Sequence, residues 1–289
     1  MLQMKRATPE NRNDIVMLWQ AEFGDDEPFI DEFCAWCGWE QICLLWEDGE
    51  ARAMTAAPLM ELTMPGGGTV RAGYIYAHTT LKEHRGKGFG KMLLNYADFC
   101  LQNQNADCAV LVPAEDSLFR YFARSGYRTG FSLWEGTVEA PEIPAEGSCL
   151  RPAAAEEYRE IREERLAYVP HVITPLPMLE QQKKLCVAWN CDLYVLNLPG
   201  GRGGAAAERW EDGRIFLREL LVPEGEEANA VALLGREFGV SKIRFRRPCR
   251  EQERTDLHTR PFGTVKWYRP ESAQQWDGME RGYFGPALD

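Results

Sequence analysis

Residues 74–91 read YIYAHTTLKEHRGKGFGK, and this stretch decides the fold. In its first half Tyr74, Tyr76, His78 and Thr80 alternate with Ile75, Ala77, Thr79 and Leu81, the period-two pattern of an extended segment. In its second half Gly86, Gly88 and Gly90 fall at every other position, and Phe89, Leu93, Tyr96 and Cys100 then recur on one face of a helix running to about Asn103. A helix therefore begins inside the glycine run. Its first turn leaves backbone N–H groups without intrahelical partners and carries the positive end of the helix dipole. Glycines let a bulky anion reach that backbone, and Arg85, Lys87 and Lys91 add positive charge around the same point. The ligand these features suit is a pyrophosphate.

Two other nucleotide loops are excluded by spacing. The chain lacks Gly-x-x-x-x-Gly-Lys followed by Ser or Thr, and it lacks Gly-x-Gly-x-x-Gly with an acid about twenty residues on. What the stretch resembles is motif A of the Gcn5-related N-acetyltransferase superfamily: Arg or Gln, two residues, Gly, one residue, then Gly or Ala. Arg85, Gly88 and Gly90 match it in full. The resemblance implies an α/β (α+β) fold, with a mixed, mostly antiparallel sheet flanked by helices. It also implies acetyl-CoA as cosubstrate. By resemblance Thr79, Thr80 and Leu81 hold the pantetheine arm, and Arg85, Gly86, Lys87, Gly88, Phe89, Gly90 and Lys91 hold the pyrophosphate.

The segment AEDSLFRYFARSGYRTGF at 114–131 looks like motif B of the same superfamily, and Gly126 closes its helix. Many members place there a tyrosine that protonates the departing thiolate. In this chain that position is Phe122, with Tyr121 one residue earlier and about 100° round the helix. Three readings stay open: a helix shift that presents Tyr121 to the sulfur, a different acid, or binding without efficient turnover. For the base that takes the ammonium proton, the candidates near the splayed strands are Glu61 and His78. His78 has the more useful ordinary pKa, about 6.5. Acyl transfer by direct attack requires no covalent enzyme intermediate, so no cysteine is needed as a nucleophile.

The remaining first half fits this frame. Thr8-Pro9-Glu10 reads as a helix start, and the aromatic-rich segment 23–39 carries Phe29, Phe33, Trp36 and Cys37 at helical spacing. Gln41–Glu47, Ala51–Met64 and Val70–Leu81 read as three antiparallel strands, and 107–112 as a buried strand.

A chain of 289 residues suits two cores better than one. Glu139–Cys149, EAPEIPAEGSC, has linker composition, so the expected division is an acetyltransferase domain at 1–140 and a second domain at 150–289. The second half repeats the opening order: a short strand, a proline, a helix at 153–169, strands at 192–198, 204–210 and 214–222, a helix at 228–238 and a strand at 242–246. It reads as a degenerate acetyltransferase-like domain. Where the glycine loop should be stands LLVPEGEEANAV, whose glutamates would repel a pyrophosphate, so no CoA is expected there. Gly200–Gly204 reads as a flexible hairpin turn. Arg244, Arg246, Arg247 and Arg250 form a basic run, expected as a solvated face or part of an interface.

A formal charge of −11 argues against nucleic acid and anionic membranes and favours a cationic substrate. Nine cysteines set among apolar neighbours suit buried thiols in a reducing compartment, and the four scattered histidines give no metal site. No signal peptide or membrane span is apparent, so a cytoplasmic protein is expected. The functional expectation is an N-acetyltransferase acting on a primary amine of a small molecule or peptide, with self-association left open. A non-catalytic acyl-CoA-binding or regulatory module is the alternative.

Overall fold

The computed structural model of the chain describes residues 1–141, 143–249, 258–277 and 282–288. The chain packs as two units, one of Met1–Thr129 with Gly263–Gly278, the other of Gly130–Phe262 with Met279–Asp289. The change of unit falls at Thr129/Gly130, ahead of the linker-like composition at 139–149, because the strand that crosses it continues through Glu139 and pairs within the second unit.

In the first unit, β1 (Leu2–Arg6), β2 (Ile42–Glu47) and β3 (Glu50–Ala56) pair antiparallel in that order, with α1 (Arg12–Glu22) and α2 (Glu27–Cys37) inserted between β1 and β2. The Ala51–Met64 segment is two strands, β3 and β4 (Leu59–Thr63), since Pro58 interrupts the ladder. Val70–Leu81 is likewise two strands, β5 (Thr69–Tyr74) and β6 (Tyr76–Thr80). Its period-two side chains run without a break, but the backbone bulges: Ala77 adopts φ 46°, and the β3–β6 register shifts between Met54 and Ala56. On one side of the bulge, β5 pairs with β4 and runs parallel to β7 (Cys108–Leu111) through Tyr74↔Val110. On the other, β6 pairs with β3 alone and is the edge of its sheet. From there β6 and β7 belong to different sheets.

Helix α3 (Phe89–Asn103) crosses from β6 to β7, and Phe89, Leu93, Leu94, Ala97, Cys100 and Leu101 are its buried apolar side. Each such Leu or Phe contributes about 1.5–3 kcal/mol on burial. Gly73 makes room for Leu101, whose methyl carbons lie 2.3 Å from where a β-carbon would stand. After α4 (Asp116–Ala123) and β8 (Arg128–Glu139) the chain leaves this unit, and it returns in the second half of β15 (Thr259–Trp267), where Thr264–Trp267 pair with Leu111–Cys108. The return is fastened to α3. Buried Asp98 accepts hydrogen bonds from Lys266 Nζ at 2.6 Å, Tyr268 Oη at 2.6 Å and Tyr127 Oη at 3.3 Å.

The second unit contains β9 (Cys149–Pro152), α5 (Ala155–Leu166), β10 (Val172–Ile173), α6 (Leu176–Ala188), β11 (Leu193–Leu198), β12 (Gly201–Arg209), β13 (Ile215–Leu221), α7 (Glu227–Phe238) and β14 (Lys242–Pro248). Its sheet runs β8-β14-β13-β12-β11-β9, antiparallel except for β13 and β14, which are parallel across α7. The glycine cluster is a turn only at its first residue. The hairpin closes at Pro199-Gly200, and Gly201, Gly203 and Gly204 lie in β12. A β-carbon on Gly204 would stand 2.9 Å from the Tyr158 ring, and one on Gly203 2.7 Å from the Leu221 carbonyl, so these glycines allow close packing rather than bending. Arg244 and Arg246 converge with Arg260 on the Glu135 carboxylate, which they hold down to about 2; Arg250 lies outside the described residues. The first-unit helix α8 (Pro270–Trp276) buries Trp276. Among the described residues no helix is long and apolar enough to cross a membrane.

Candidate active site

The bulge on β6, the loop at 81–88 and the start of α3 enclose one side of a cavity of about 470 Å³, and α4 closes the other. Of the residues singled out in the sequence, His78, Thr79, Thr80, Arg85, Gly86, Gly88, Phe89, Gly90, Lys91 and Tyr121 line it. Leu81 and Lys87 do not. Glu61 is exposed on β4, paired in register with Arg71, and takes no part in the cavity, which removes it as a base. Leu118 and Phe122 add apolar wall, and Glu22 adds a carboxylate.

The loop is built by its glycines. Gly86 and Gly88 hold φ 82° and 85°, the left-handed region, and nothing lies within 4 Å of where their β-carbons would be. Gly88 caps α3 without a side-chain hydrogen bond, and the first helical bond runs from Met92 N to Gly88 O at 3.0 Å. The amides of the first turn therefore remain available to an anion. Arg85 Nε donates to the Thr80 carbonyl at 3.0 Å, and its guanidinium also pairs with Glu22. Lys87 Nζ and His84 Nδ1 each lie 3.1 Å from Glu47, and the His84 ring stacks on Phe89. Glu22 and Glu47 carry no sequence signal for this role, standing 63 and 40 residues from the cations they meet.

Deeper in, three polar side chains converge. The point where a β-carbon on Gly90 would stand is 2.8 Å from Tyr121 Oη, 3.3 Å from His78 Nε2 and 3.5 Å from Thr80 Oγ1. None of the three side chains makes a hydrogen bond with another described residue. Any larger residue at 90 would fill this point. Tyr121 does face the cavity although it precedes the motif B position, while Phe122 is 6% exposed and packs in the core. Burial raises the Tyr121 pKa above 10, so the hydroxyl keeps its proton at neutral pH. His78 departs from the value expected of a free imidazole. One edge still reaches the cavity, but the packed surroundings penalise the imidazolium and lower the pKa to about 4.

A family profile described as "Acetyltransferase (GNAT) domain" matches residues 3–130. Residues 3–130 thus carry a domain of the Gcn5-related N-acetyltransferase (GNAT) type. Solved structures with the same fold include a GCN5-related N-acetyltransferase from Anabaena variabilis, at 14% identity over 92% of this chain and 72% of that one, with a TM-score of 0.72. Eis1 from Mycobacterium abscessus aligns at 19% identity over 92% and 73%, TM-score 0.68. A probable N-acyltransferase from Enterococcus faecalis aligns at 13% identity over 92% and 73%, TM-score 0.70. No curated protein matches the chain. The chain thus holds a GNAT acetyltransferase domain at 3–130, and the residues that line the cavity all fall within that segment.

Proposed function

We propose that this GNAT protein moves an acetyl group from acetyl-CoA to a primary amine by direct attack. The observation that carries the reading is the open α3 start, with its two left-handed glycines, set at the mouth of a cavity that follows the bulged edge of β6. The residues fit the donor: the α3 amides, Arg85 and Lys91 meet the pyrophosphate, and the unpaired edge of β6 at Thr79 and Thr80 offers backbone groups to the pantetheine arm. Bound there, acetyl-CoA supplies an activated acyl group and a thiolate leaving group. Tyr121, protonated and aimed into the cavity, serves as the acid for the sulfur. Glu22 at the cavity wall and the charge of −11 favour a cationic acceptor, and the reaction is assigned to the cytoplasm.

Calorimetric titration of acetyl-CoA into wild type and an Arg85→Ala/Gly88→Glu double variant tests the donor site. Micromolar binding that is lost in the variant is expected. Absence of binding by wild type would overturn the proposal. Binding without CoA release across a panel of amines would instead favour the acyl-CoA-binding module, a reading that Phe122 at the usual tyrosine position sustains.

A further inference from the structure

The geometry points to His78 as a neutral hydrogen-bond donor to the acyl oxygen of the bound donor, and not as the base that takes the amine's proton. This inference rests on the acetyl-CoA reading of the cavity. His78 Nε2 is one of the three polar atoms that converge beside Gly90, and like Tyr121 Oη and Thr80 Oγ1 it spends no hydrogen bond on a described residue. The opposite ring nitrogen, Nδ1, is buried and has no hydrogen-bond partner among the described residues. A neutral imidazole carries one N–H and one lone pair. An N–H sealed without an acceptor is among the rarest features of folded proteins, so the bare lone pair belongs at Nδ1 and the proton at Nε2. The ring then presents a donor to the cavity, packed against Tyr121 and Phe122, whose centroids are 6.4 and 6.1 Å away.

The same surroundings disqualify the ring as a base. The neutral ring, whose conjugate acid has a pKa of about 4, would have to take a proton from an ammonium near 10, against a gradient of some six orders of magnitude. As a donor it needs no proton transfer at all. An amine that has left its ammonium proton to solvent bonds through nitrogen to the acyl carbon, and electron density moves onto the acyl oxygen; it returns as the C–S bond breaks, the sulfur takes its proton from Tyr121, and the proton that the nitrogen sheds restores the Tyr121 hydroxyl through solvent. The Nε2–H stays on His78 throughout. Neutral donors held in place for such a charge accelerate acyl transfer by roughly 10²–10³-fold.

The test uses the ketone analogue of acetyl-CoA in which a methylene replaces the thioester sulfur, labelled with ¹³C at the carbonyl. It cannot be cleaved, so the readout is independent of turnover. Infrared difference spectra should show the carbonyl stretch of the bound analogue below its value in water for wild type. The shift should be lost in His78→Phe and largely restored in His78→Gln, whose amide N–H can take over the donation. In wild type alone, ¹⁵N spectra should find His78 as the neutral Nε2–H tautomer from pH 5 to 9. A carbonyl frequency equal in wild type and His78→Phe would overturn the inference while leaving the donor site intact, and so would a ring titrating near its ordinary pKa. Failure of wild type to bind the analogue would overturn both the inference and the donor site.

Discussion

The two units use one piece of topology for opposite ends. In each, a strand, a helix and a parallel strand follow one another, and in each the parallel contact spans three residue pairs, Ala72–Tyr74 against Cys108–Val110 and Ile215–Leu217 against Ile243–Phe245. The difference lies in what stands at the helix start. Before α3 there are left-handed glycines, cations and uncommitted amides. Before α7 there are carboxylates already engaged: Glu226 accepts from Gly200 N at 2.7 Å and from Asn229 Nδ2 at 2.9 Å, and Glu227 pairs with Arg247 at 2.8 Å. Beside them, buried Glu219 takes Arg162 Nε and Tyr158 Oη, each at 2.9 Å, and Arg162 also reaches the Gly285 carbonyl. The same crossover can thus leave its helix start open to a ligand or set internally paired carboxylates in front of it. Only the first use is compatible with binding an anion.

Breaking the internal use should have the largest effect. Arg162→Met strands the fully buried Glu219 carboxylate, and the expected loss of unfolding free energy is about 3–5 kcal/mol, read from urea denaturation. Whatever fraction stays folded should bind acetyl-CoA as wild type does. Tyr121→Phe should act on the other unit alone, lowering turnover by roughly 10²-fold, the lower end for loss of a general acid, with donor affinity unchanged in calorimetry.

Acid should separate the units by pH window. His78 has its folded pKa lowered from 6.5 to about 4, so the unfolded chain binds the proton first and stability falls as pH drops through that interval. Glu135 has its pKa lowered from 4.5 to about 2 by the arginines around it, against the cost of burial, so its contribution is present above 4.5 and disappears between 4.5 and 2. His78→Gln should flatten the upper part of the stability–pH curve and Glu135→Gln the lower. Interchanged effects would refute this assignment.

Smaller still is Glu22→Gln, which releases the Arg85 guanidinium from an exposed pair and should tighten acetyl-CoA by no more than about 1 kcal/mol in a titration. At the small end, Glu226→Gly should leave the binding stoichiometry at one donor per chain, because Glu227 and the polar cluster at Glu219 remain. A second equivalent bound would show that the acidic loop alone had closed that site.

Much of the first unit was legible because its signals are local. Arg85, Gly88 and Gly90 sit within six residues, and the buried face of α3 follows from spacings of three and four. The bulge was not, since Tyr74, Tyr76 and His78 alternate as if the strand were continuous and only the left-handed turn at Ala77 breaks it. The glycines at 201–204 misled for a related reason: composition marks a glycine as able to turn, whereas Tyr158 and the Leu221 carbonyl need it to be small. The convergence of His78, Thr80 and Tyr121 on the empty side of Gly90 joins three elements and has no signature along the chain. The pKa of His78 is likewise set by packing that no pattern of letters encodes.

The carboxylate of Asp98 ties the helix that carries the donor loop to Lys266 and Tyr268, two side chains supplied some 170 residues later. A ribosome makes those residues only after Gly130–Phe262, most of the second unit. Until they emerge, α3 carries a buried acid whose strongest partners do not yet exist, and β7 lacks the antiparallel neighbour that Thr264–Trp267 provide. The unit that carries the donor loop is therefore completed only when β15 has been made, and the site matures with that strand rather than with its own segment.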